Sequence, residues 1–441
     1  METFFDTEYI SREPNRYLFD VFSIGYVFQF SKQLSVTPIM RYNLKNKTCK
    51  KSMNIVNTNV DGLHKIVYGP LFFSYLNDTV NPSNIRLSIV LNDKSKKIIF
   101  KKKIKALDFN NFSRKPFHNN FDLTFAVCSC FNLSKFVTEG RTNLKTLKKF
   151  NDVCKEKNPL MIVSSGDIVY FSDVSVSSSY SIQNAYDTLI TLKESKSMWS
   201  NYTWVCANDD HELSINSGLQ HSENIQLLRN KMDQNFPIGE QNINPYSVRS
   251  TYFSLKYVFF IILDTVTEQT LYKNTEIVGY KSILGYSQLT YLRNYFNNII
   301  SLAGPSSLIF IVVGKSMFST YHTCFLNGCL KERNIIFEYI KTLKLKNVVF
   351  ICGDSHMSDF TEHKLDNTDI TVREIRNSSV TSIPINPSES DNPLQYPGSL
   401  SQGVNNFGFV NVNGSDRKYN VTYTNYTLNG EQFKYSWKMD S

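Results

Sequence analysis

The chain has 441 residues, of which 41% are hydrophobic and 14% aromatic, so it can bury a large core and divide into more than one domain. Its net charge is +9, and its most basic stretch, Lys94–Lys105, carries Ile98, Ile99, Phe100 and Ile104 between its lysines. This pattern favours a strand flanked by solvated lysines over a nucleic-acid or membrane-binding patch, and no nucleic-acid-binding motif stands out elsewhere.

The N-terminus does not match a secretory signal, because Met1–Asp6 has no basic segment followed by an apolar core. The apolar runs Val258–Leu263 and Leu308–Val313 are far shorter than the about 20 residues of a transmembrane helix. We therefore expect no signal peptide and no transmembrane segment, and an intracellular, cytoplasmic protein by default. The oligomeric state is left open.

Residues 1–120 are predicted to form an N-terminal β-rich domain, either an antiparallel sandwich or a lid. Aromatic and β-branched residues concentrate in four runs, separated by turn residues such as Asn77-Asp78 and Asn81-Pro82. These runs are Arg16–Phe30, Gln33–Tyr42, Asn84–Leu91 and Lys97–Lys105.

Residues 121–441 are predicted to form a second, layered α/β domain, because strands alternate with helices from about residue 121. The predicted strands are Asp122–Cys130, Pro159–Ser165, Tyr202–Ala207, Tyr252–Leu263, Leu308–Val313 and Asn347–Cys352. The predicted helices include Leu144 to Val153, Ala185–Leu192, Ser222–Gln234, a helix capped by Ser287, and Glu332–Leu343. The chain returns to β structure at Asp369–Thr381, Phe407–Val412 and Tyr419–Tyr426.

Polar residues follow six of the predicted strands, at the ends where ligands bind in open α/β sheets. They are Cys130, Asp167, Asp210-His211, Asp264-Thr265, Lys315-Ser316 and Asp354-His356. Carboxylates and imidazoles are good ligands for divalent or ferric ions, and strand ends hold them rigidly. We expect these ends to converge on one polynuclear metal centre.

The motifs at these ends form an ordered set over roughly 260 residues. They are Phe-Ala-x-x-Ser-Cys at Phe125–Cys130, Gly-Asp-x-x-Tyr at Gly166–Tyr170, Asp-Asp-His-Glu at Asp209–Glu212, Leu-Asp-Thr at Leu263–Thr265, Gly-Asp-x-His at Gly353–His356, and Glu-x-x-x-Ser-Ser-x-x-Ser at Glu374–Ser382. In this order they resemble the PhoD-like alkaline phosphatase/phosphodiesterase family of the calcineurin-like metallophosphoesterase superfamily. The resemblance implies a four-layer α/β/β/α sandwich with an N-terminal β-rich domain.

The resemblance also implies a di- or trinuclear metal centre of Fe³⁺ with Ca²⁺, other divalent metals being possible. Asp167 would bridge the metals and take part in catalysis, and the iron would be bound by Cys130, Tyr170 and His356. Asp210 and Asp354 would bind the second, harder metal.

The same resemblance gives roles to the residues around these ligands. His211 would lie beside the leaving-group oxygen as an acid or electrostatic donor, and Asp209 and Glu212 would orient it. Lys315 is placed on the substrate side, where it would supply positive charge to the phosphate.

The sequence departs from the family pattern in four places, all on the substrate side. Asn208 stands where tryptophan is usual, Val266 where arginine is usual, and Lys315 where a polar amide is usual. The stretch Cys324–Cys329 replaces an expected Trp-x-Gly-Tyr, and its two cysteines could pair, although nothing requires it. The identity of the phosphate ester, whether monoester, diester, phospholipid or nucleotide, therefore stays open.

The favoured function is a metal-dependent phosphoesterase that hydrolyses phosphate esters with a metal-activated water. The alternative is a catalytically weak protein of the same fold that binds phosphorylated partners. Cys130 alone would be an ordinary buried cysteine, and Asp209–Glu212 alone could be acidic residues at a helix N-terminus. For Cys130, only the ordered set of motifs favours the metal site over the buried core. A serine hydrolase is disfavoured, because the chain has no Gly-x-Ser-x-Gly elbow.

Overall fold

The structure is a computed structural model, and it describes most of the chain after residue 121. With their side chains it describes residues 122–132, 144–171, 182–213, 227–236, 249–255, 258–270, 281–320, 324–384, 403–414 and 418–439. For the strands before residue 122, and for residues 142–143, 179–181, 225–226 and 415, it describes the backbone.

The strands and helices are numbered here in chain order. The strands are β1 Thr3–Phe5, β2 Asn15–Asp20, β3 Ser23–Phe30, β4 Ile39–Leu44, β5 Lys47–Ser52, β6 His64–Val67, β7 Arg86–Asn92, β8 Ile98–Lys105, β9 Phe121–Cys128, β10 Met161–Ser164, β11 Thr203–Cys206, β12 Thr251–Leu255, β13 Val258–Ile262, β14 Leu308–Val312, β15 Asn347–Cys352, β16 Ser358–Lys364, β17 Thr371–Asn377, β18 Asn406–Ser415, β19 Lys418–Thr427 and β20 Gly430–Lys438. The helices are α1 Thr142–Lys157, α2 Ser179–Thr191, α3 Lys196–Asn201, α4 Ile225–Asn235, α5 Gly285–Ala303, α6 Phe325–Gly328 and α7 Leu330–Thr342, and a 3₁₀ turn spans Asp210–Leu213.

Two mixed sheets form the body of the described structure. The first sheet has the strand order β20-β19-β18-β9-β10-β11-β2-β3-β6, and the second has the order β12-β13-β14-β15-β17-β16. Within the first sheet β9, β10 and β11 are parallel, and within the second β13, β14 and β15 are parallel. Each sheet therefore contains a block of three parallel strands, and the six predicted polar strand ends belong to these two blocks.

Three apolar layers separate these sheets and their helices. Alternate residues of β9 enter different layers, because successive side chains of a strand point to opposite faces. Phe125 packs between the two sheets with Phe260 and Phe310, whereas Ala126 packs outward in a layer with α1, α2 and α4. On the far side, α5 and α7 cover the second sheet through residues such as Leu292 and Ile336. This order of layers confirms the predicted four-layer α/β/β/α sandwich.

One predicted strand, Tyr252–Leu263, is wrong as a single element. The segment is a hairpin in which β12 pairs antiparallel with β13, from Leu255 opposite Val258 to Thr251 opposite Ile262. β13 is buried throughout because it lies between β12 and β14, whereas burial alternates along β12 because it is the edge strand. The sequence pattern does not reveal the turn between the two strands, because the segment is apolar almost throughout.

The predicted cap of α5 by Ser287 is also wrong. The helix begins at Gly285, and the Ser287 hydroxyl donates to Glu268. The buried Glu332 carboxylate instead accepts hydrogen bonds from the backbone N–H groups of residues 283, 284 and 285, at 2.7–3.1 Å. A carboxylate from another helix thus fixes the backbone where α5 begins, in place of a local capping side chain.

The N-terminal 120 residues contain strands β1 to β8, in line with the β structure predicted there. β1, β8 and β7 form a small sheet and β4 pairs with β5, while β2 joins the first sheet beside β11, with Tyr17 opposite Trp204. The division into a domain at 1–120 and another at 121–441 stays a prediction. None of the helices in the described ranges has both the length and the apolar composition that crossing a membrane requires.

Replacing Phe260 by alanine tests the layer between the sheets. Phe260 is fully buried, and its ring contacts those of Phe253, Phe310 and Phe125 at centroid distances of 5.0, 5.2 and 5.3 Å. We expect Phe260→Ala to lower the free energy of unfolding by about 3–5 kcal/mol, measured by urea denaturation. Tyr286→Ala is the control, because Tyr286 is 86% exposed, and it should change stability by no more than about 0.5 kcal/mol. Equal effects of the two changes would contradict this account of the core.

Candidate metal centre

The C-terminal ends of the two parallel blocks bring two overlapping sets of ligand atoms together. Among the residues that the structure describes, Cys130, Asp167 and His356 offer atoms within 4.8 Å of one another, and so do Asp167, Asp209, Asp210 and Asp354. We call the first set, with the adjoining Tyr170, the sulfur set, and the second the acidic set. Asp167 belongs to both sets, and its role as a bridge between metals stays a prediction.

Four of these residues have left-handed backbones, an arrangement that is uncommon for residues other than glycine. The φ angles of Cys130, Asp167, Asp354 and His356 are 61°, 56°, 62° and 53°. Backbone strain of this kind persists only where the surrounding structure enforces it, and it concentrates at functional sites. The chain thus turns sharply at each strand end and points these side chains into a shared space.

Glycines allow the strand ends to approach one another. A Cβ on Gly166 would lie 2.5 Å from Cβ of Asp209, and a Cβ on Gly353 would lie 2.4 Å from the Ser129 hydroxyl. Both positions are part of the Gly-Asp motifs that precede the ligands. The glycine of each motif therefore has a packing role, since a larger residue would push the strand ends apart.

The sulfur set has the spacing of ligands around a single ion. The Cys130 thiol donates to Oδ2 of Asp167 at 3.4 Å, the Tyr170 hydroxyl lies 3.4 Å from the same oxygen, and it lies 3.1 Å from Nε2 of His356. Ligands about 2.1 Å from one ion, in tetrahedral or octahedral arrangement, lie roughly 3.0–3.4 Å from each other. The residues present therefore fit one metal ion.

Neighbouring groups hold the ligands of the sulfur set in place. His356 Nδ1 lies 2.7 Å from the Ile383 carbonyl oxygen, which can only accept, so Nδ1 carries the proton and Nε2 keeps its lone pair. The Ser378 hydroxyl donates to the Cys130 sulfur at 2.9 Å, and the Ser382 hydroxyl donates to the Tyr170 oxygen at 2.8 Å. These bonds orient the three side chains toward each other.

The electrostatics of the sulfur set also suit a cation. Burial, together with the charge of Asp167, raises the pKa of the Cys130 thiol well above its usual value, and burial with Cys130 and Asp167 does the same to the pKa of Tyr170. Burial lowers the pKa of His356, which favours the neutral imidazole that binds metals. The thiol and phenol would ionise here only against a cation in direct contact.

The acidic set surrounds the ammonium group of Lys315. Lys315 Nζ lies 2.7 Å from Oδ1 of Asp210, 2.9 Å from Oδ1 of Asp354 and 3.2 Å from Oδ1 of Asp209. Burial would lower the pKa of Lys315, but the carboxylates outweigh it and raise that pKa well above its usual value. For Asp210 burial acts to raise the pKa, and the charges of Lys315 and His211 reverse this to a net lowering.

Asp167 and Asp209 show the opposite effect. Burial and the charge of Asp210 raise the pKa of both carboxyls, and for Asp209 the nearby Lys315 reduces this effect without reversing it. The role of Asp209 in orienting His211 stays a prediction. Its position also places it among the possible ligands, with its Oδ1 accepting from the Thr265 hydroxyl at 2.9 Å.

Glu212 ties the ends of β10 and β11 together. Its carboxylate accepts hydrogen bonds from the backbone N–H groups of Asp167 at 3.0 Å, of Asp209 at 2.9 Å, and of Ile168. Burial raises the pKa of Glu212 to about 7, and these N–H donors oppose the shift. Glu212 thereby fixes the loop positions of two acidic residues.

His211 lies at the border of both sets and is partly exposed. Its ring stacks on that of Tyr170 at a centroid distance of 3.8 Å, and its backbone N–H donates to Oδ1 of Asp167 at 3.3 Å. Asn208, by contrast, is buried, and its side-chain oxygen accepts from Arg249 at 3.2 Å. Asp264 accepts from backbone N–H groups, including that of Arg249 at 3.0 Å, and belongs to neither set.

Sequence reasoning missed several supporting residues. Arg249 gave no motif, although it links Asn208, Asp233 and the Phe236 carbonyl oxygen. The motif at Glu374–Ser382 carries no predicted role, yet Ser378 and Ser382 contact the sulfur set and Glu374 contacts the Lys315 loop. Cys324 and Cys329 are both buried free thiols.

Glu374 anchors the loop that carries Lys315. Its carboxylate accepts from the Ser316 hydroxyl and from the Met317 N–H, both at 2.6 Å. Burial raises the pKa of Glu374 to about 7, although these two hydrogen bonds oppose the shift. The backbone on the C-terminal side of Lys315 is therefore fixed from inside the core.

Comparison with known proteins supports this fold. No family model matches the chain, and no curated protein matches it. Among solved structures, PhoD is similar over 99% of this chain and 93% of its own, with a TM-score of 0.67 and 14% sequence identity. The purple acid phosphatase PPD1 from yellow lupin (Lupinus luteus) seeds is similar over 96% of this chain and 73% of its own, with a TM-score of 0.64 and 12% identity. The chain therefore shares the overall fold of these two proteins.

Two alanine substitutions at glycine test the close approach of the strand ends. Gly166 and Gly430 have similar backbones, with φ of 117° and 109°, but a Cβ on Gly430 would meet nothing within 4 Å. The backbone strain, about 1–2 kcal/mol, should be common to both variants. We expect Gly166→Ala to lower the free energy of unfolding by a further ~1–3 kcal/mol through the clash with Asp209, measured by chemical denaturation. Equal losses in the two variants would show that the strand ends are not tightly packed.

The pH dependence of stability tests the burial of Glu374. Between about pH 4.5 and 7 the folded protein keeps a proton on Glu374 that the unfolded chain has released, so stability falls as the pH rises through this window. We expect Glu374→Gln to flatten this part of the profile by up to about 3 kcal/mol, measured as the free energy of unfolding across the range. Glu338→Gln, on an exposed side chain, is the control and should keep the wild-type slope. If Glu374→Gln kept the wild-type slope, the pH dependence could not be attributed to the raised pKa of Glu374.

Proposed function

We propose that this chain is a metal-dependent phosphoesterase that hydrolyses phosphate esters with a metal-activated water. The observation that carries the proposal is the sulfur set, whose four side chains have the spacing of ligands around one ion at the strand ends. The similarity of the fold to PhoD and to a purple acid phosphatase supports it.

The sulfur set is proposed to hold iron in the ferric form. A thiol and a phenol whose pKa values are raised by burial need a highly charged ion to become anionic ligands, and Asp167 adds a carboxylate. A bound ion would lower the pKa of a coordinated water and neutralise charge on the phosphate. The expectation from the sequence that Asp210 and Asp354 hold Ca²⁺ rests on the preference of calcium for carboxylates, and the contacts of Lys315 with both residues weigh against it.

His211 is proposed as the acid for the leaving group. Its ring is stacked on Tyr170 and its backbone is bound to Asp167, so it is held beside both sets while remaining partly exposed to a substrate. From this position it would give a proton to the departing oxygen. Asp209 and Glu212 would support it indirectly, since Glu212 fixes the backbone on either side of the acidic residues.

The residues predicted on the substrate side offer little positive charge to a phosphate. Asn208 and Lys315 are each 1% exposed, and Lys315 faces carboxylates. We propose that Lys315 acts on those carboxylates and not on the phosphate. This ion pairing is also the observation that favours the alternative function, a weakly catalytic protein that binds phosphorylated partners, because it leaves less positive charge for the transition state.

Hydrolysis of bis-p-nitrophenyl phosphate and p-nitrophenyl phosphate tests the proposal and ranks diester against monoester. We expect Asp167→Asn to lose bound metal and to reduce turnover to background, because Asp167 contributes to both sets. His211→Gln should retain the metal and lower kcat by about 10²–10⁴. Asp366→Asn, at an exposed position outside the site, should behave as the wild type.

Two outcomes would count against this function. Bound metal without turnover of either ester would favour the binding alternative. Absence of bound metal after purification in non-chelating buffers would contradict the metal assignment.

A further inference from the structure

We propose that the ammonium group of Lys315 takes the place of a second metal ion, so that the protein binds a single metal ion, in the sulfur set. This inference rests on the proposed metal centre and changes its nuclearity. The expected polynuclear centre would then be one metal ion in the sulfur set beside the fixed ammonium group of Lys315.

The contacts of Lys315 carry the proposal. An ammonium has three N–H donors, and here three carboxylate oxygens lie 2.7, 2.9 and 3.2 Å from Nζ. These oxygens belong to Asp210, Asp354 and Asp209, which are also the members of the acidic set other than Asp167. Nζ therefore lies in the space among the oxygens where a second ion would have to bind.

Lys315 is not free to swing out of this space. The residue is 1% exposed, and the chain is fixed on both sides of it. On one side Gly314 packs against Asp209, since a Cβ there would lie 2.4 Å from the Asp209 carboxyl carbon. On the other side Ser316 and Met317 are bonded to the buried Glu374.

Two oxygens of the acidic set also accept hydrogen bonds from other protein groups. A Ca²⁺ ion needs six to eight oxygen ligands at about 2.3–2.6 Å. Oδ1 of Asp209 accepts from Thr265 as well as facing Lys315, whereas its buried Oδ2 has no hydrogen-bond partner among the described residues. Oδ1 of Asp167 accepts from the backbone of His211. A second ion bound through these two Oδ1 atoms would compete with these donors.

Charge leads to the same conclusion. Lys315 is a buried cation, and a divalent ion bound to the same carboxylates would lie close to it in a region of low dielectric, where repulsion is strong. The ammonium offers no site for a water or a phosphate oxygen to coordinate. Water and substrate would accordingly meet one ion, and the ammonium would hold the side chains of Asp210 and Asp354 in position.

Metal counting on the purified full-length protein tests the inference. The protein is dialysed against Ca²⁺, Mg²⁺ or Mn²⁺ in non-chelating buffer, and the metal per chain is measured by plasma mass spectrometry. We expect one equivalent in the wild type and two in Lys315→Asn, which removes the ammonium and supplies an amide oxygen. Lys434→Met, at an exposed lysine, should keep one equivalent.

A second measurement applies if Lys315→Asn folds poorly. Removing the ammonium leaves the carboxylates uncompensated, so added Ca²⁺ should raise the Tm of Lys315→Asn and of Lys315→Met by on the order of 5 °C, and that of the wild type by much less. Ca²⁺ would stabilise these variants because it binds their folded state and not the unfolded chain.

The outcomes separate this inference from the proposed function. Two equivalents in the wild type, or no gain in metal and no Ca²⁺-dependent rise in Tm in the variants, would overturn the role of Lys315 and leave the phosphoesterase proposal intact. A gain of one equivalent over a wild type that holds none would support the role of Lys315 and contradict the sulfur set as a metal site.

Discussion

The rest of the site depends on how this chain compensates several carboxylates that it buries side by side. An isolated buried carboxylate is costly, and like charges in contact add to the cost. The chain meets this cost in three ways. Glu212 accepts hydrogen bonds from backbone N–H groups, and Asp210 and Asp354 form ion pairs with the ammonium of Lys315. Asp167 accepts hydrogen bonds from the Cys130 thiol and the His211 backbone. Among the described residues, Asp167 is thus compensated by hydrogen bonds and not by an ion pair with the ammonium, so the sulfur set, to which it belongs, is the part of the site where a metal ion can bind.

The fold supplies the rigidity that such a cluster needs. Two blocks of parallel strands, packed through their inner faces, bring six strand ends to one edge of the sandwich. Left-handed backbones at Asp167 and Asp354 turn the ligands inward, and the absence of a side chain at Gly166 and Gly353 lets the loops touch. Strain at these positions is maintained by the packed sheets behind them.

Much of this architecture could be predicted from the sequence because its signals are local. Each parallel strand is a short apolar run that ends in a polar motif, and the order of these motifs indicated both the layers and the candidate ligands. The hairpin of β12 and β13 was missed because no strong turn motif interrupts the apolar segment. The cap of α5 was missed because its acceptor, Glu332, comes from another helix.

Contacts between distant residues could not be predicted in the same way. Lys315 is 105 residues from Asp210, and Ser378 is 248 residues from Cys130, so nothing in the local pattern joins them. The sequence analysis places Lys315 at a strand end and directs its charge to the phosphate, whereas its contacts are with three carboxylates that the fold brings together.

The most direct test of the central claim is X-ray diffraction from crystals of the full-length protein, recorded on both sides of the iron absorption edge. The account predicts one anomalous peak in the space bounded by the Cys130 sulfur, Oδ2 of Asp167, the Tyr170 oxygen and Nε2 of His356. It also predicts the Lys315 ammonium, with no second metal peak, among the carboxylates of the acidic set. Density without any metal at the sulfur set would contradict the account.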